Sequence, residues 1–370
     1  VVSILEVEKD IKEIFSYLHE HPETSWNEVH TTKYIKELLE KEGCRVTSFN
    51  DCTGLFAEIG AGSPVVAIRA DMDALWQEVD GVFRANHSCG HDAHMTMVIG
   101  AIRLLLATKF NGKIRFIFQP AEEKGNGALK MVEKGAVDDV NYLFGIHLRP
   151  IQELPSGKAS PTIVHGAGCF MHAVITGDDS HGARPHLTSN AVDVITSINH
   201  LIKFINVDPQ VPSSIKITSV QAGGDNKNII PGNGNFSIDM RAQNNETMAI
   251  LKEKALKVFH DVERLYNTKI EYYFESELPA AIVNEDAQDI MGKAISHVLG
   301  RENCTQPLVT SGGDDFHFYT IKKPELKATM IGLGCDLEPG LHHPKMTFNH
   351  DMLMTGSEIL KEAALIALSK

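Results

Sequence analysis

Residues 235–242 read NFSIDMRA, in which Phe236, Ile238 and Met240 alternate with Ser237, Asp239 and Arg241. A period of two predicts a strand with one apolar and one polar face. Before it stand a strand-like CFMHAVIT (169–176), a helical segment over 191–205 with Ile195, Ile198, Ile202 and Ile205 on one face, and a strand-like SIKITSV (214–220). After it come a helical segment over 246–266 and a strand-like TKIEYYF (268–274). The order β-α-β-β-α-β is that of a ferredoxin-like α+β sandwich, and it predicts a self-contained domain over 167–276.

The flanking sequence has a different character. Helical spacing of Ile11, Ile14, Phe15 and Leu18, then of Val29, Tyr34, Leu38 and Leu39, predicts two opening helices broken at His21-Pro22. Strand-like runs follow at LFAEI (55–59), VVAIRA (65–70), KIRFIF (113–118) and YLFGIH (142–147), with a helix over 94–106 between the second and third. After Pro279 come a helix over 287–298, a strand KATMIG (327–332) and a closing helix over 351–368. The pattern predicts an α/β catalytic domain, a mixed sheet flanked by helices, made of 1–166 and 277–370 and interrupted by the smaller domain.

With 370 residues the chain is long enough for two cores, and 43% apolar with 22% charged residues is ordinary globular composition. The net charge of −13 repels phosphate backbones and anionic headgroups, so neither nucleic acid nor membrane is expected as a partner. No apolar run reaches the ~20 residues of a membrane span. The six scattered cysteines lack the density of a disulfide framework, which fits a reducing, cytoplasmic setting.

Chemistry-bearing residues recur where strands end. Cys89 and His91 lie two residues apart ahead of an apolar helix, and thiolate and imidazole are both ligands for zinc and its neighbours. Glu122 and Glu123 follow a buried strand and Pro120, at the strand end where open α/β sheets bind ligands. His147 closes the run from Tyr142 to Ile146, and His342-His343 sits on a loop held by Pro344. Each fragment alone is compatible with a packed cysteine, a solvated carboxylate or a capping histidine. Together they offer Cys, His, Glu, His and His from different loops, which is how a metal site is assembled.

The strings RADMDAL (69–75), SCGHDAH (88–94), FQPAEE (118–123), GIH (145–147), HGARPH (181–186), NIIP (228–231), GGDDF (312–316) and LHHP (341–344) occur in this order. In this the chain resembles the dimetal amidohydrolases and carboxypeptidases that include aminoacylases, hippurate hydrolase and the plant auxin-conjugate hydrolases. The resemblance implies a zinc-peptidase-like catalytic domain with an inserted lid and dimerisation domain. It also implies metal ligands at Cys89, His91, Glu123, His147 and His342, and Glu122 as catalytic acid/base. His181, Asn228 and Arg241 would bind the substrate carboxylate or the oxyanion, the histidine reaching over from a partner subunit. Asp71 and Asp73 would support the ligands from behind, and Asp92, His94 and Asp315 are further candidates for the same role.

The implied cofactor is one or two divalent ions, zinc or manganese first and cobalt or nickel next; the implied partners are a small-molecule substrate and a second copy of the chain. The implied reaction is hydrolysis of the amide of N-acyl amino acids, with a dipeptidase or carboxypeptidase as the alternative and an inactive dimeric scaffold as the non-enzymatic one. The chain departs from the family at Trp76, where proline is usual, in a shortened segment from there to Cys89, and at Asp178-Asp179-Ser180, Asp314 and His317. These positions bear on specificity more than on catalysis.

Overall fold

Apolar strands buried on both faces need helices on both sides, and the chain builds one such layer and one smaller sandwich. The computed structural model describes residues 4–370. Two compact units form: one of residues up to Val164, Ile282–Val309 and Asp315–Lys370, the other of His165–Ala281 with Thr310–Asp314. The sequence reading leaves Thr310–Asp314 in the flanking domain. Its place in the second unit follows from the Gly166 N–H, which donates to both Thr310 O and Gly312 O at 3.0 Å.

The first unit has a seven-stranded mixed sheet. Four neighbouring strands, Gly112–Gln119, Val65–Asp71, Tyr142–Pro150 and Lys327–Leu337, run parallel. Antiparallel Leu55–Ala61 and Arg45–Ser48 extend one side, and Ala159–Ser160 closes the other. Val65–Asp71 is buried at every residue, as a central parallel strand should be. The helix His91–Leu106 is buried along almost its whole length and packs against Met352–Leu368. At Gly100 a Cβ would stand 2.2 Å from Ser357 Oγ, so only glycine lets the two helices approach this closely.

The second unit has a four-stranded antiparallel sheet in the order Ser213–Ala222, Gly234–Ala242, Ala167–Ile175, Ile270–Leu278, the ferredoxin-like order. Its core joins Met171, Ile175, Phe236, Ile238 and Met240 to Val194, Ile195, Ile198, Leu251 and Phe259 of the helices Ala191–Leu201 and Asn245–Tyr266. The Asn190 and Asn244 side chains accept from Val192 N and Thr247 N, caps worth about 1 kcal/mol each.

Some sequence expectations need correction. The helix Val29–Lys41 buries Thr31, Ile35 and Leu39, whereas Val29 is 60% exposed. The strand at 142 does not stop at His147. Leu148 and Arg149 continue the ladder opposite Leu333 and Gly334, so His147 is an interior strand residue. The segment after Leu75 forms an antiparallel ribbon, Leu75–Val79 with Val82–Asn86, that the periodicity did not announce. Among the described residues no helix is long and apolar enough to cross a membrane.

Candidate metal centre

The parallel strands deliver their C-terminal ends to one edge, and the candidate donors gather there. Gly90 is left-handed (φ 86°), and a Cβ on it would meet Leu148 Cδ1 at 2.9 Å. That glycine starts the helix at His91 rather than at the expected His94, leaving Cys89 just ahead of its N-terminus. His342 is also left-handed (φ 63°), with its N–H donating to Ser88 O at 2.7 Å and its carbonyl accepting from Gln77 Nε2 at 3.0 Å. His147 donates from Nδ1 to Leu148 O at 2.7 Å, which leaves Nε2 as the free lone pair.

The structure brings all five candidate ligands together. Cys89 Sγ lies 3.2 Å from His342 Nε2 and 3.7 Å from His147 Nε2. Glu123 Oε1 lies 3.4 Å from His342 Nε2 and 3.9 Å from His91 Nε2, and Glu122 Oε2 lies 3.9 Å from the same His91 atom. Cys89, His91 and His147 can each offer an atom within 4.8 Å of the others, as can Cys89, Glu123 and His342, and His91, Glu122 and Glu123. Neither ring nitrogen of His91 makes a hydrogen bond, although Nδ1 stands at ion-pair distance, 3.4 Å, from Asp73 Oδ1. Buried Glu123 Oε1 also has no hydrogen-bond partner. Donors of mixed S, N and O type, among them the buried His91 nitrogens and Glu123 Oε1 without a hydrogen bond, fit a divalent cation.

The electrostatics agree with this arrangement. Burial, then the Glu123 carboxylate, pushes the Cys89 thiol well up, so ionising it calls for a cation. Burial, with His94 beside it, holds His147 well below the usual imidazole range and keeps it a neutral imidazole. Burial opposes protonation of His91, but the neighbouring Asp71 and Cys89 outweigh it and raise the imidazole.

Two of the three supporting aspartates converge on the site. Asp73 accepts from Glu122 N and Glu123 N, both at 3.0 Å, and from Ser25 Oγ at 2.6 Å. Asp71 accepts from His94 Nδ1 at 2.7 Å and lies 3.8 Å from His91 Nε2. His94 in turn accepts from Leu148 N at 3.0 Å, next to His147. Asp92 instead turns to the first helix, accepting from His19 Nδ1 at 2.6 Å and from Ala93 N at 2.8 Å.

Beneath lies a buried network. Arg69 donates to Asp71 Oδ2 at 2.5 Å, to Asp315 Oδ1 at 3.0 Å and to Gln119 Oε1 at 2.9 Å. Burial and the Arg69 charge press His317 down to about 3 from 6.5. Folded His317 therefore stays neutral where the unfolded chain takes up a proton, and its contribution to stability is lost as pH falls from about 6.5 towards 3. Urea unfolding at stepped pH is expected to show a loss of about 1.4 kcal/mol per pH unit from this group. His317→Asn should remove that component, and an unchanged slope would contradict it.

In the second unit, His181 lies on a two-residue strand paired with Ile229–Ile230, and Gly182 N donates to Asn228 O at 2.6 Å. His181 and Asn228 thus lie together at one exposed two-stranded ribbon, whose strands are far apart in sequence. Arg241 is held separately: Nε donates to Asp239 at 2.7 Å, the guanidinium lies 5.0 Å from the Phe170 ring centroid, and a Cβ on Gly168 would meet Nη1 at 2.9 Å. It lines a pocket with Lys216, Ser214 and Ser311.

Sequence reasoning missed Ser25, Glu28 and Thr53. Glu28 is fully buried; it accepts from Ala121 N at 2.8 Å and Thr53 Oγ1 at 2.7 Å, and burial lifts its carboxyl to about 7. The exposed Trp76 (65%) and Phe83 (60%) share one face of the ribbon, while Gln77 on the other face holds the His342 loop.

The pattern of Peptidase family M20/M25/M40 matches residues 67–366. The chain is 30% identical to IAA-amino acid hydrolase ILR1-like 6 of Arabidopsis thaliana, over 94% of this chain and 78% of that protein. It is 32% identical to N-acetylcysteine deacetylase of Bacillus subtilis, over 95% of each. Among solved structures it is similar to the Bacillus subtilis YXEP protein, described as a dinuclear metal binding peptidase from the M20 family. That match has a TM-score of 0.83 and 28% identity, over 98% of this chain and 99% of the other.

Proposed function

Because the chain belongs to the M20/M25/M40 peptidase family, we propose that it is a metal-dependent amidohydrolase that cleaves the amide bond of N-acyl amino acids with a free carboxylate. The observation that carries the reading is the meeting of Cys89, His91, Glu123, His147 and His342 beside a further carboxyl group, Glu122. These five residues would hold one or two divalent ions, zinc or manganese first by their mixed donor set, with cobalt or nickel compatible.

Divalent ions bound there supply Lewis acidity, which lowers the pKa of water towards about 7 and polarises the scissile carbonyl. Glu122 takes a proton from the attacking water and delivers it to the amide nitrogen as the C–N bond breaks. The new C–O bond leaves the acyl group as a carboxylate and the amino acid as a free amine. Asp73, through the Glu122 and Glu123 N–H groups, keeps base and ligand in register. Arg241, with Nε tied to Asp239, presents its remaining edge for a bidentate grip on the substrate carboxylate.

His181 and Asn228 are assigned to oxyanion and substrate contacts contributed by a second copy of the chain. The ribbon strand Ile229–Ile230 leads into the Gly234–Ala242 strand at its Gly234 end, whereas Arg241 lies seven residues further on, about 23 Å along the strand. One copy of this unit is poorly shaped to bring all three to one small substrate. The edge strand Ser213–Ala222, with a neighbour on one side only, supports a homodimer through this domain. All six cysteines are free, which favours a cytoplasmic setting.

Protein stripped of metal and reconstituted with zinc, manganese, cobalt or nickel is expected to release free amino acid from N-acetyl or N-benzoyl amino acids. Faster turnover of dipeptides would shift the assignment to a dipeptidase, and no release with any ion would refute it.

A further inference from the structure

The turn that carries Glu122 and Glu123 is held by its peptide N–H groups. Three in succession, from Ala121, Glu122 and Glu123, donate to carboxyl oxygens: Glu28 Oε1, Asp73 Oδ1 and Asp73 Oδ2. Ala121 is left-handed (φ 52°), a conformation costing an alanine about 1–2 kcal/mol, and it stands immediately before Glu122. That conformational cost is offset by the acceptors that surround the turn, of which Glu28 is the one facing Ala121 itself.

We propose that Glu28 is a positioning residue, whose buried carboxyl group locks the Ala121 peptide and thereby aims Glu122 and Glu123 at the metal centre. The inference rests on the function proposed above.

Glu28 is itself immobilised from several sides. Thr53 Oγ1 donates to its other oxygen at 2.7 Å, and its carbonyl accepts from Thr32 N at 2.9 Å, tying it to the start of the helix Val29–Lys41. The loop before it is anchored to the strand end bearing Asp73: Ala74 N donates to Glu23 O at 2.8 Å and Ser25 Oγ to Asp73 at 2.6 Å. No Lys, Arg or His pairs with Glu28 among the described residues. A fully buried carboxyl without a cation costs stability, so space-filling alone would favour an apolar residue. Its retention is explained by the acceptor it offers to Ala121.

The test uses the full-length protein, with the affinity of the metal-free form for Mn²⁺ and Zn²⁺ read by competition with a chromogenic chelator, alongside kcat and KM on the best substrate of the panel. Glu28→Ala is expected to weaken ion affinity about 10- to 100-fold and to lower kcat with KM unchanged. Glu28→Gln keeps an acceptor facing Ala121 and should restore most of both. Glu28→Asp, one methylene too short to reach, should behave like the alanine variant and serves in its place if Glu28→Ala does not fold. A folded alanine or aspartate variant with wild-type ion affinity and kcat overturns the inference. If the wild-type protein binds no divalent ion and hydrolyses nothing in the panel, the proposed function falls and takes this inference with it. If the wild type does both and the variants match it, only the role of Glu28 falls.

Discussion

Glu122→Gln is expected to lower kcat by about 10²- to 10⁴-fold or more while leaving the fold and divalent-ion affinity intact. The amide keeps the volume and hydrogen-bonding length of the carboxylate but cannot take a proton from water or return one to the leaving nitrogen. Glu122 Oε2 lies 3.9 Å from His91 Nε2, on the same turn as Glu123, and Asp73 holds the two peptides at 3.0 Å whatever the side chain at 122. Loss of turnover without loss of metal is therefore the signature of a base, whereas loss of both would mark Glu122 as chiefly a ligand. Retention of wild-type kcat would show that the proton is carried elsewhere.

The second large effect is on stability. Arg69 is fully buried and is the cation between Asp71 and Asp315, with Gln119 Oε1 as a further acceptor. Arg69→Met preserves the length of the side chain and leaves two buried carboxylates without their shared counter-charge. Breaking a buried pair in this way costs about 3–5 kcal/mol, far more than an exposed pair such as Lys269 with Glu271 contributes. Urea unfolding of the metal-free variant should show the loss. A shift below about 1 kcal/mol would mean that the histidines beside Asp71, His94 donating to it at 2.7 Å and His91 standing 3.8 Å away, suffice to hold that carboxylate.

The same contrast explains what could be read from the sequence. The alternation through Phe236, Ile238 and Met240 was legible because a half-buried strand writes its burial at every second residue. Cys89, His91, Glu122 and Glu123 were legible as chemistry only in combination, because each donor-bearing fragment by itself is equally compatible with packing or solvation. The extent of the strand through His147 was not. Gly-Ile-His-Leu-Arg-Pro gives no local sign that pairing with Lys327–Leu337 persists to the proline. Val29 looked like a core residue by spacing, yet the face turned inward is that of Thr31, Ile35 and Leu39.

Glu28 was invisible for a deeper reason. In sequence it is one carboxylate in a polar loop, HPETSWNE, and the hydrogen-bond partners of its buried carboxyl group, Thr53 Oγ1 and Ala121 N, stand 25 and 93 residues away. Asp92 erred in the opposite sense. The family resemblance suggested support for a ligand, but in the helix beginning at His91 its side chain meets His19.

Whether five side chains distant in sequence meet at a common metal centre can be seen directly by anomalous diffraction from crystals grown with manganese or zinc. The expected result is one or two peaks, each within about 2.5 Å of several donor atoms drawn from Cys89, His91, Glu123, His147 and His342, with Glu122 alongside. Peaks elsewhere on the protein, or none at this strand edge under saturating metal, would contradict the account.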